Sequence, residues 1–275
     1  MTCAPWIAIA ADEPDACRSR TVSSSPRRPR APTGGGASFA GAGALGAGAV
    51  FVWTQATRPE TPIAALGPLP GHGLLRTATW DVAEVSRDPS GAVFALFRTR
   101  DTEEMRAVWP HPFRASLRVT LEEALSTALT IENTGQEPFP FHAALHTYLR
   151  VGDLRQVTVA GLEGARYQDR TAKSVERRER RRPVAIRGET DRIYMARPDR
   201  LRIRDESRQR TILLDRAGFN DVVLWNPGEE KARSKSGLAD GEYLTMLAVE
   251  SAQIVPPVQL AAGSLWSGVQ RLRVS

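Results

Sequence analysis

Two of the chain's four histidines, His142 and His146, lie close together in residues 139–149, FPFHAALHTYL. Histidine is the one side chain whose unperturbed pKa lies near neutrality, so an imidazole on a rigid element is a candidate for proton transfer. The small and apolar neighbours of both histidines are typical of a strand in a packed sheet. Two hydrogen-bonded core histidines would produce the same pattern, so the motif alone leaves both interpretations open.

A second candidate for proton transfer is Glu250, which follows the largely apolar residues 245–249, TMLAV. Burial removes water from a carboxylate and raises its pKa, which makes the carboxylate a stronger base. The alternative is that Glu250 marks the point where its strand emerges into water. The sequence therefore predicts a base here only if the strand is buried at this position.

Three further residues are candidates for contacts with a ligand. Asp191, in ETDRIY at residues 189–194, is either a turn residue or a ligand for sugar hydroxyl groups. His72 and Arg76, in GHGLLR at residues 71–76, are similarly ambiguous. Each pattern alone is compatible with a purely structural role.

Several motifs that would indicate a cofactor are absent from the sequence. It has no phosphate-binding glycine loop followed by Lys and Ser or Thr, no dinucleotide fingerprint, and no Cys or His pairs at metal-ligand spacing. Both cysteines, Cys3 and Cys17, lie near the amino terminus, and their placement favours neither a disulfide framework nor a thiolate metal site. We therefore expect a protein that works without a cofactor in a reducing cytoplasm.

The composition of the 275 residues is globular, with 41% hydrophobic and 25% charged residues. The net charge of +6 is compatible with nucleic acid, a membrane surface or a phosphorylated metabolite as partner. Residues 176–182, ERRERRR, are the most basic run in the chain. Aromatic residues are not interleaved with these arginines and two glutamates interrupt them, so a solvated loop is favoured over a nucleic-acid patch.

The chain divides into two regions of different texture. Residues 1–66 form an atypical segment rich first in Arg, Ser and Pro and then in Gly and Ala, and we expect little packed structure there. This segment lacks the bulky apolar run of an export signal or a membrane span. Residues 67–275 are expected to form one β-sandwich domain. Candidate strands lie at residues 92–99, 115–121, 125–132, 139–149, 156–160, 201–204, 211–215, 222–225, 243–251, 258–262 and 269–274.

These short strands alternate with Gly and Pro, and helical periodicity is confined to a turn near residues 102–106. Many short strands with little helix predict an all-β fold, an antiparallel sandwich or barrel.

Several motifs, taken in order, resemble the hexose-6-phosphate mutarotases, or glucose-6-phosphate 1-epimerases. The segment HGLLR at 72–76 is similar to the HGFAR segment of that family. The other matching segments are HTYL at 146–149, VAGL at 159–162, YQD at 167–169, TDRIY at 190–194, DVVLWNP at 221–227 and VE at 249–250. The resemblance covers residues 67–275, and its specificity comes from the order of many motifs.

The resemblance implies a galactose-mutarotase-like β-supersandwich that interconverts the α and β anomers of hexose 6-phosphates. It implies His146 as general acid and Glu250 as general base. Arg76, Asp191 and His72 are then the substrate-binding residues. No cofactor, nucleic acid or membrane is implied, and a monomer is expected.

One part of the family pattern is missing. An Arg-Gly-Gly segment and a Cys-Trp-Pro-Trp-like segment precede HGFAR in the family, and residues 37–66 match neither of them. Gly71 stands where relatives carry glutamine. The alternative hypothesis is therefore a catalytically impaired carbohydrate-binding β-sandwich that lost substrate-binding motifs at its amino-terminal end.

Overall fold

The computed structural model describes residues 48–53, 72–180, 183–196, 198–234 and 238–275. These residues form sixteen strands and two short α-helices, α1 Glu103–Val108 and α2 Gly228–Arg233. The strands are β1 Gly48–Trp53, β2 Asp81–Arg87, β3 Val93–Arg100, β4 Phe113–Leu121, β5 Leu125–Asn133, β6 Phe139–Arg150, β7 Val157–Ala160, β8 Arg166–Asp169, β9 Val175–Arg178, β10 Val184–Ala185, β11 Thr190–Met195, β12 Arg200–Asp205, β13 Arg210–Ala217, β14 Asp221–Asn226, β15 Met246–Leu260 and β16 Leu265–Val274.

The strands form two antiparallel sheets. The seven-stranded sheet has the order β1-β6-β15-β14-β11-β8-β9, and the nine-stranded sheet has the order β10-β7-β12-β13-β16-β5-β4-β3-β2. This architecture confirms the all-β antiparallel fold predicted from the sequence. Within the described residues, no helix is both long and apolar enough to span a membrane.

The main core lies between the two sheets. Its residues come from strands in which buried and exposed side chains alternate. In β12 the buried Leu201 and Ile203 alternate with exposed arginines, because successive side chains of a strand point to opposite faces. Leu149, Leu224 and Val249 of the seven-stranded sheet belong to the same cluster. Burying these aliphatic side chains stabilises the sandwich by about 1.5–3 kcal/mol for each fully buried residue.

The second face of the seven-stranded sheet carries a small apolar cluster of Ala144, Ile193, Val223 and Ala252. The central strand β14 is therefore buried on both faces over most of its length. A strand buried on both faces is a rigid support for functional side chains, since neither face can relax into water.

The structure corrects several details of the predicted strands. The strands expected at 243–251 and 258–262 are one strand, β15, whose register against β6 shifts between Gln253 and Val258. Residues 243–245 belong instead to the 3₁₀ turn Glu242–Thr245 that precedes it. The basic run 176–182, expected as a loop, begins in β9, an exposed edge strand of the sheet. Charged side chains on an edge strand disfavour pairing with another chain, which is a structural reason for this composition.

Besides β9, five strands fall where sequence patterns predicted none: β1, β2, β8, β10 and β11. β11 was missed because its polar Asp191 and Arg192 interrupt the apolar pattern of a strand. β1 lies inside the segment 1–66 and pairs with β6, from Gly48 opposite Thr147 to Trp53 opposite His142. The rest of the prediction for residues 1–66 lies outside the described residues, so the boundary near residue 67 stays a prediction.

Candidate active site

His146 and Glu250 meet on adjacent strands of the seven-stranded sheet. The Nε2 atom of His146 lies 3.1 Å from Oε1 of Glu250, and the two residues are only 5% and 3% exposed. The flanking pairs of β6 and β15, Tyr148 with Ala248 and Leu145 with Ser251, place Glu250 opposite His146. Residues far apart in sequence are thus held within one hydrogen bond of each other by strand register.

Strand register also puts Asp191 on this face, because residues paired across antiparallel strands point to the same side of a sheet. Val223 pairs with both Glu250 and Ile193, so these side chains share the row of His146 and Glu250. The next row on the same face lies two residues along each strand. It runs from Asp191 through Trp225 and Ala248 to Tyr148.

Glu250 lies in the middle of β15, so it does not mark the point where the strand emerges into water. Burial raises the pKa of its carboxyl group well above the ordinary value, and the negative charge of Asp191 raises it further, whereas Arg170 lowers it. Its second oxygen, Oε2, is buried and has no hydrogen-bond partner among the described residues. Glu250 is therefore a desolvated carboxyl group with one oxygen on His146 and one oxygen without a hydrogen-bond partner among the described residues.

Two aromatic residues hold the imidazole of His146. The ring of Tyr148 stacks against it with centroids 4.5 Å apart and an interplanar angle of 27°. Trp225 meets His146 edge to face at 6.1 Å and Tyr148 at 6.3 Å. Burial raises the pKa of Tyr148 to about 12, and the charge of Glu250 adds to this rise while Arg76 opposes it. Tyr148 is therefore a neutral phenol near pH 7.

His72 approaches the pair from a separate segment. Its ring meets that of His146 edge to face, with centroids 5.9 Å apart. His72 itself is exposed and has a positive φ of 68°, a conformation that few residues other than glycine adopt. Backbone strain of this kind is found most often at functional sites, where the surrounding structure compensates for it.

Arg76 lies at the rim of the site. It ends the 3₁₀ turn Leu74–Arg76, in which Leu74 and Leu75 are buried and anchor the segment. The Arg76 side chain is exposed, yet its charge acts on the phenol of Tyr148. A guanidinium thus borders the site on the side of β6.

Asp191 lies in β11 and not in a turn. The residue is half-buried, and burial raises the pKa of its carboxyl group, which the positive charges of Arg170 and Lys231 oppose. The Nε atom of Arg170 is 3.9 Å from Oδ1 of Asp191. The charge of Asp191 also acts on Glu250, so the two carboxyl groups belong to one site.

His142 was left open by the sequence. It lies on the same face of β6 as His146 but four residues away, about 13 Å along the strand. Burial lowers the pKa of its imidazole, and its Nδ1 atom has no hydrogen-bond partner among the described residues. At this distance His142 does not orient the ring of His146.

Sequence reasoning assigned no role to Tyr148, Trp225 or Arg170. Tyr148 carries a usable signal, since it lies two residues after His146 and must share its face of the strand. The contacts of Trp225 and Arg170 depend on the register between strands, which the sequence does not show.

The arrangement is suited to transferring protons between two neighbouring oxygen atoms. One basic nitrogen and one carboxylate oxygen are held a hydrogen bond apart in a largely dehydrated face of the sheet. Within the described residues, no group of three or more His, Cys, Asp or Glu side chains could hold a metal ion.

Comparisons with known proteins show which proteins this chain resembles. A protein of Cenchrus ciliaris named "Putative glucose-6-phosphate 1-epimerase" is 32% identical over 237 residues, which cover 82% of this chain and 72% of that protein. An Escherichia coli protein of the same name is 32% identical over 69% of this chain. The aligned part of this chain spans 62% of the E. coli relative, less than two thirds of its length.

A solved structure shares the fold. The crystal structure of a Salmonella typhimurium protein described as a "putative mutarotase" matches 81% of this chain and 71% of its own, with a TM-score of 0.71 and 26% sequence identity. The model of the aldose 1-epimerase family matches residues 48–273. The match therefore begins at β1, nearer the amino terminus than residue 67, where the resemblance seen in the sequence begins. Because this match covers most of the 275 residues, the chain belongs to the aldose 1-epimerase family.

Proposed function

We propose that the protein is a glucose-6-phosphate 1-epimerase, which interconverts the α and β anomers of hexose 6-phosphates by opening and closing the sugar ring. The observation that carries this proposal is the 3.1 Å contact between His146 Nε2 and Glu250 Oε1. Anomerisation needs an acid and a base that are neighbours, because the C1 hydroxyl oxygen and the ring oxygen are bonded to the same carbon atom.

The proposed reaction is a pair of proton transfers. The Glu250 carboxylate takes the proton of the C1 hydroxyl group while the His146 imidazolium gives a proton to the ring oxygen. The bond between C1 and the ring oxygen breaks, and a carbonyl group forms at C1. Rotation about the C1–C2 bond presents the other face of the carbonyl, and the reverse transfers close the ring as the other anomer.

The electrostatics of the pair support these roles. A buried carboxylate whose pKa is raised is a stronger base than an exposed one, and Glu250 is buried. Each positioned proton-transfer group contributes about 10²–10⁴ in rate. No electrons leave the sugar in this scheme, so acid–base groups alone are sufficient.

Three residues at the border of the pair are proposed to bind the sugar phosphate. Arg76 is exposed beside Tyr148 and would hold the 6-phosphate by charge-assisted hydrogen bonds. Asp191 and His72 would accept or donate hydrogen bonds to the sugar hydroxyl groups. Asp191 is supported by its influence on Glu250, and His72 by its ring contact with His146.

NMR saturation transfer between the two anomers of glucose 6-phosphate tests the proposal. We expect catalytic amounts of the protein to accelerate the exchange, and to accelerate that of unphosphorylated glucose less. An exchange rate that the protein does not change would contradict the proposed function.

The alternative is a binding protein without catalysis, which is favoured by residues 37–66, where the family's amino-terminal motifs are missing. Isothermal titration calorimetry separates the two functions. Binding of glucose 6-phosphate without accelerated exchange would support the impaired carbohydrate-binding sandwich.

A further inference from the structure

Arg170 lies beside the site although no motif of the sequence points to it. It begins the 3₁₀ turn Arg170–Ala172 directly after β8. β8 pairs with β11 so that Asp169 is opposite Arg192, and the next residue along, Arg170, is therefore beside Asp191. The Nε atom of Arg170 is 3.9 Å from Asp191 Oδ1, and the side chains are 37% and 21% exposed.

The site combines two carboxyl groups whose ionisation is disfavoured, and Arg170 supplies a positive charge beside them. Asp191 and Glu250 are two carboxyl groups on one face of the sheet, and each is deprived of water by burial. Like charges in a dehydrated region disfavour ionisation of both groups. A general base must be ionised in the resting enzyme, so a neighbouring positive charge is needed.

The other charged groups around the two carboxylates have other contacts or other roles. Lys231 acts on Asp191, but its Nζ atom lies 3.0 Å from Glu189, which offsets its charge. Arg76 acts on Tyr148, which lies at the opposite end of the row from Asp191. His146 contacts Glu250 directly and is itself the proposed acid.

The remaining neighbour of Asp191 is Asp169, whose carboxylate lies 3.9 Å from Arg177. Among the described residues, Arg170 is a cation that lowers both the pKa of Asp191 and that of Glu250.

We propose that Arg170 is a positioning residue of the active site, whose guanidinium holds the Asp191 carboxylate and offsets the negative charge that Asp191 places beside Glu250. This inference rests on the proposed function, in which Glu250 must take a proton from the sugar. Arg170 acts through the two carboxylates and is not itself a proton donor in the reaction.

The pH dependence of kcat/KM for anomer exchange tests the inference. Arg170→Gln leaves the charge of Asp191 without compensation, so the pKa of Glu250 rises and the acidic limb of the profile moves to higher pH. We expect about a three- to tenfold loss of activity on the acidic side, recovered as the pH rises, and retention of the wild-type profile in Arg170→Lys.

Two further variants make the test specific. Arg177→Gln removes the same charge from an ion pair of the same length, because Arg177 lies 3.9 Å from Asp169. This variant should leave the acidic limb of the profile at its wild-type pH. Asp191→Asn should move the limb to lower pH, whatever its effect on KM, because it removes the negative charge beside Glu250. A uniform loss in Arg170→Gln at every pH would overturn the inference in favour of a structural role.

A readout without catalysis separates this inference from the proposed function. In protein labelled with ¹³C-glutamate, the side-chain carboxyl resonance of Glu250 is assigned through Glu250→Gln and titrated against pH. The midpoint should be higher in Arg170→Gln than in wild type or Arg177→Gln, even if the wild-type protein fails to accelerate anomer exchange. An unchanged midpoint in Arg170→Gln overturns the inference.

Discussion

Burial of the Glu250 carboxyl group costs stability. Taking a carboxylate out of water is unfavourable, and the single contact to His146 leaves its Oε2 atom without a partner among the described residues. The acid–base pair is therefore expected to behave as a functional pair and not as a stabilising salt bridge.

This view predicts opposite effects on activity and stability. Glu250→Gln should lower the rate of anomer exchange by about 10²–10⁴ because the base is lost. The thermal unfolding midpoint should stay the same or rise, because an amide is cheaper to bury than a carboxylate. Saturation transfer and a thermal melt measure the two quantities. A large fall of the midpoint would show that the contact with His146 stabilises the fold.

Tyr148 is predicted to act through its ring and not through its hydroxyl group. With a pKa of about 12 the phenol stays protonated near neutrality, whereas its stacking on His146 fixes the imidazole. Tyr148→Phe should keep activity within about threefold of wild type. Tyr148→Leu should lose about tenfold, since aromatic pairs contribute about 0.5–1.5 kcal/mol beyond their buried area. Equal losses in both variants would assign the role to the hydroxyl group.

At the scale of the elements, the irregular part of β15 is held by one buried residue of β14. Asp221 is 1% exposed, and its Oδ2 atom accepts hydrogen bonds from the backbone N–H groups of Ile254 and Val255, at 2.6 and 2.7 Å. These two residues lie where the register of β15 against β6 shifts. A side chain thus replaces the strand partner that the shift removes.

Asp221 should make stability depend on pH. Burial raises the pKa of its carboxyl group from 3.8 to about 6, against the opposing effect of the two backbone hydrogen bonds. The pKa of Asp221 is higher in the folded state than in the unfolded state. The contribution of Asp221 to the free energy of unfolding is therefore fully present below about pH 4 and is lost as the pH rises through about 6.

The expected loss from this group is on the order of 2 kcal/mol between pH 4 and pH 7. Asp221→Asn keeps an oxygen acceptor for the backbone and removes this titration. Urea unfolding at several pH values measures the difference between wild type and variant. A difference that does not vary with pH would contradict the assignment to Asp221.

The elements also show what the sequence could predict and why. Strands such as β4, β5 and β12 bury one face and expose the other, so their alternating patterns identified them. β11 was missed because its Asp191 faces the site, where a polar residue replaces an apolar one. A polar side chain inside a strand breaks the apolar pattern by which the strand is recognised.

For the site, prediction from the sequence was limited because the pairing between strands was not known. The sequence indicated His146 and Glu250 separately, and the family resemblance supplied their roles, but their contact comes from the register of β6 with β15. Arg170 was missed for the same reason, since its neighbour Asp191 is determined by the pairing of β8 with β11. Register depends on the hydrophobic pattern of whole strands and on turn geometry, which single residues do not reveal.

At the scale of the whole molecule, the net charge of +6 and the position of Arg76 favour an anionic substrate. Salt screens the interaction of a phosphate with exposed cations, with a Debye length of about 8 Å at physiological ionic strength. The proposed reaction at C1 lies away from the 6-phosphate, so screening should weaken binding more than the proton transfers.

Salt should therefore affect KM much more than kcat. For glucose 6-phosphate, KM should rise several-fold between low and high salt while kcat changes little, and for glucose neither should change much. Arg76→Gln should raise KM for glucose 6-phosphate about tenfold or more, since hydrogen bonds to charged groups contribute about 1.5–3 kcal/mol. The same variant should reduce the salt dependence and leave glucose unaffected. If glucose and glucose 6-phosphate lose activity equally in Arg76→Gln, the arginine supports the site without binding phosphate, and the substrate preference must come from another cation.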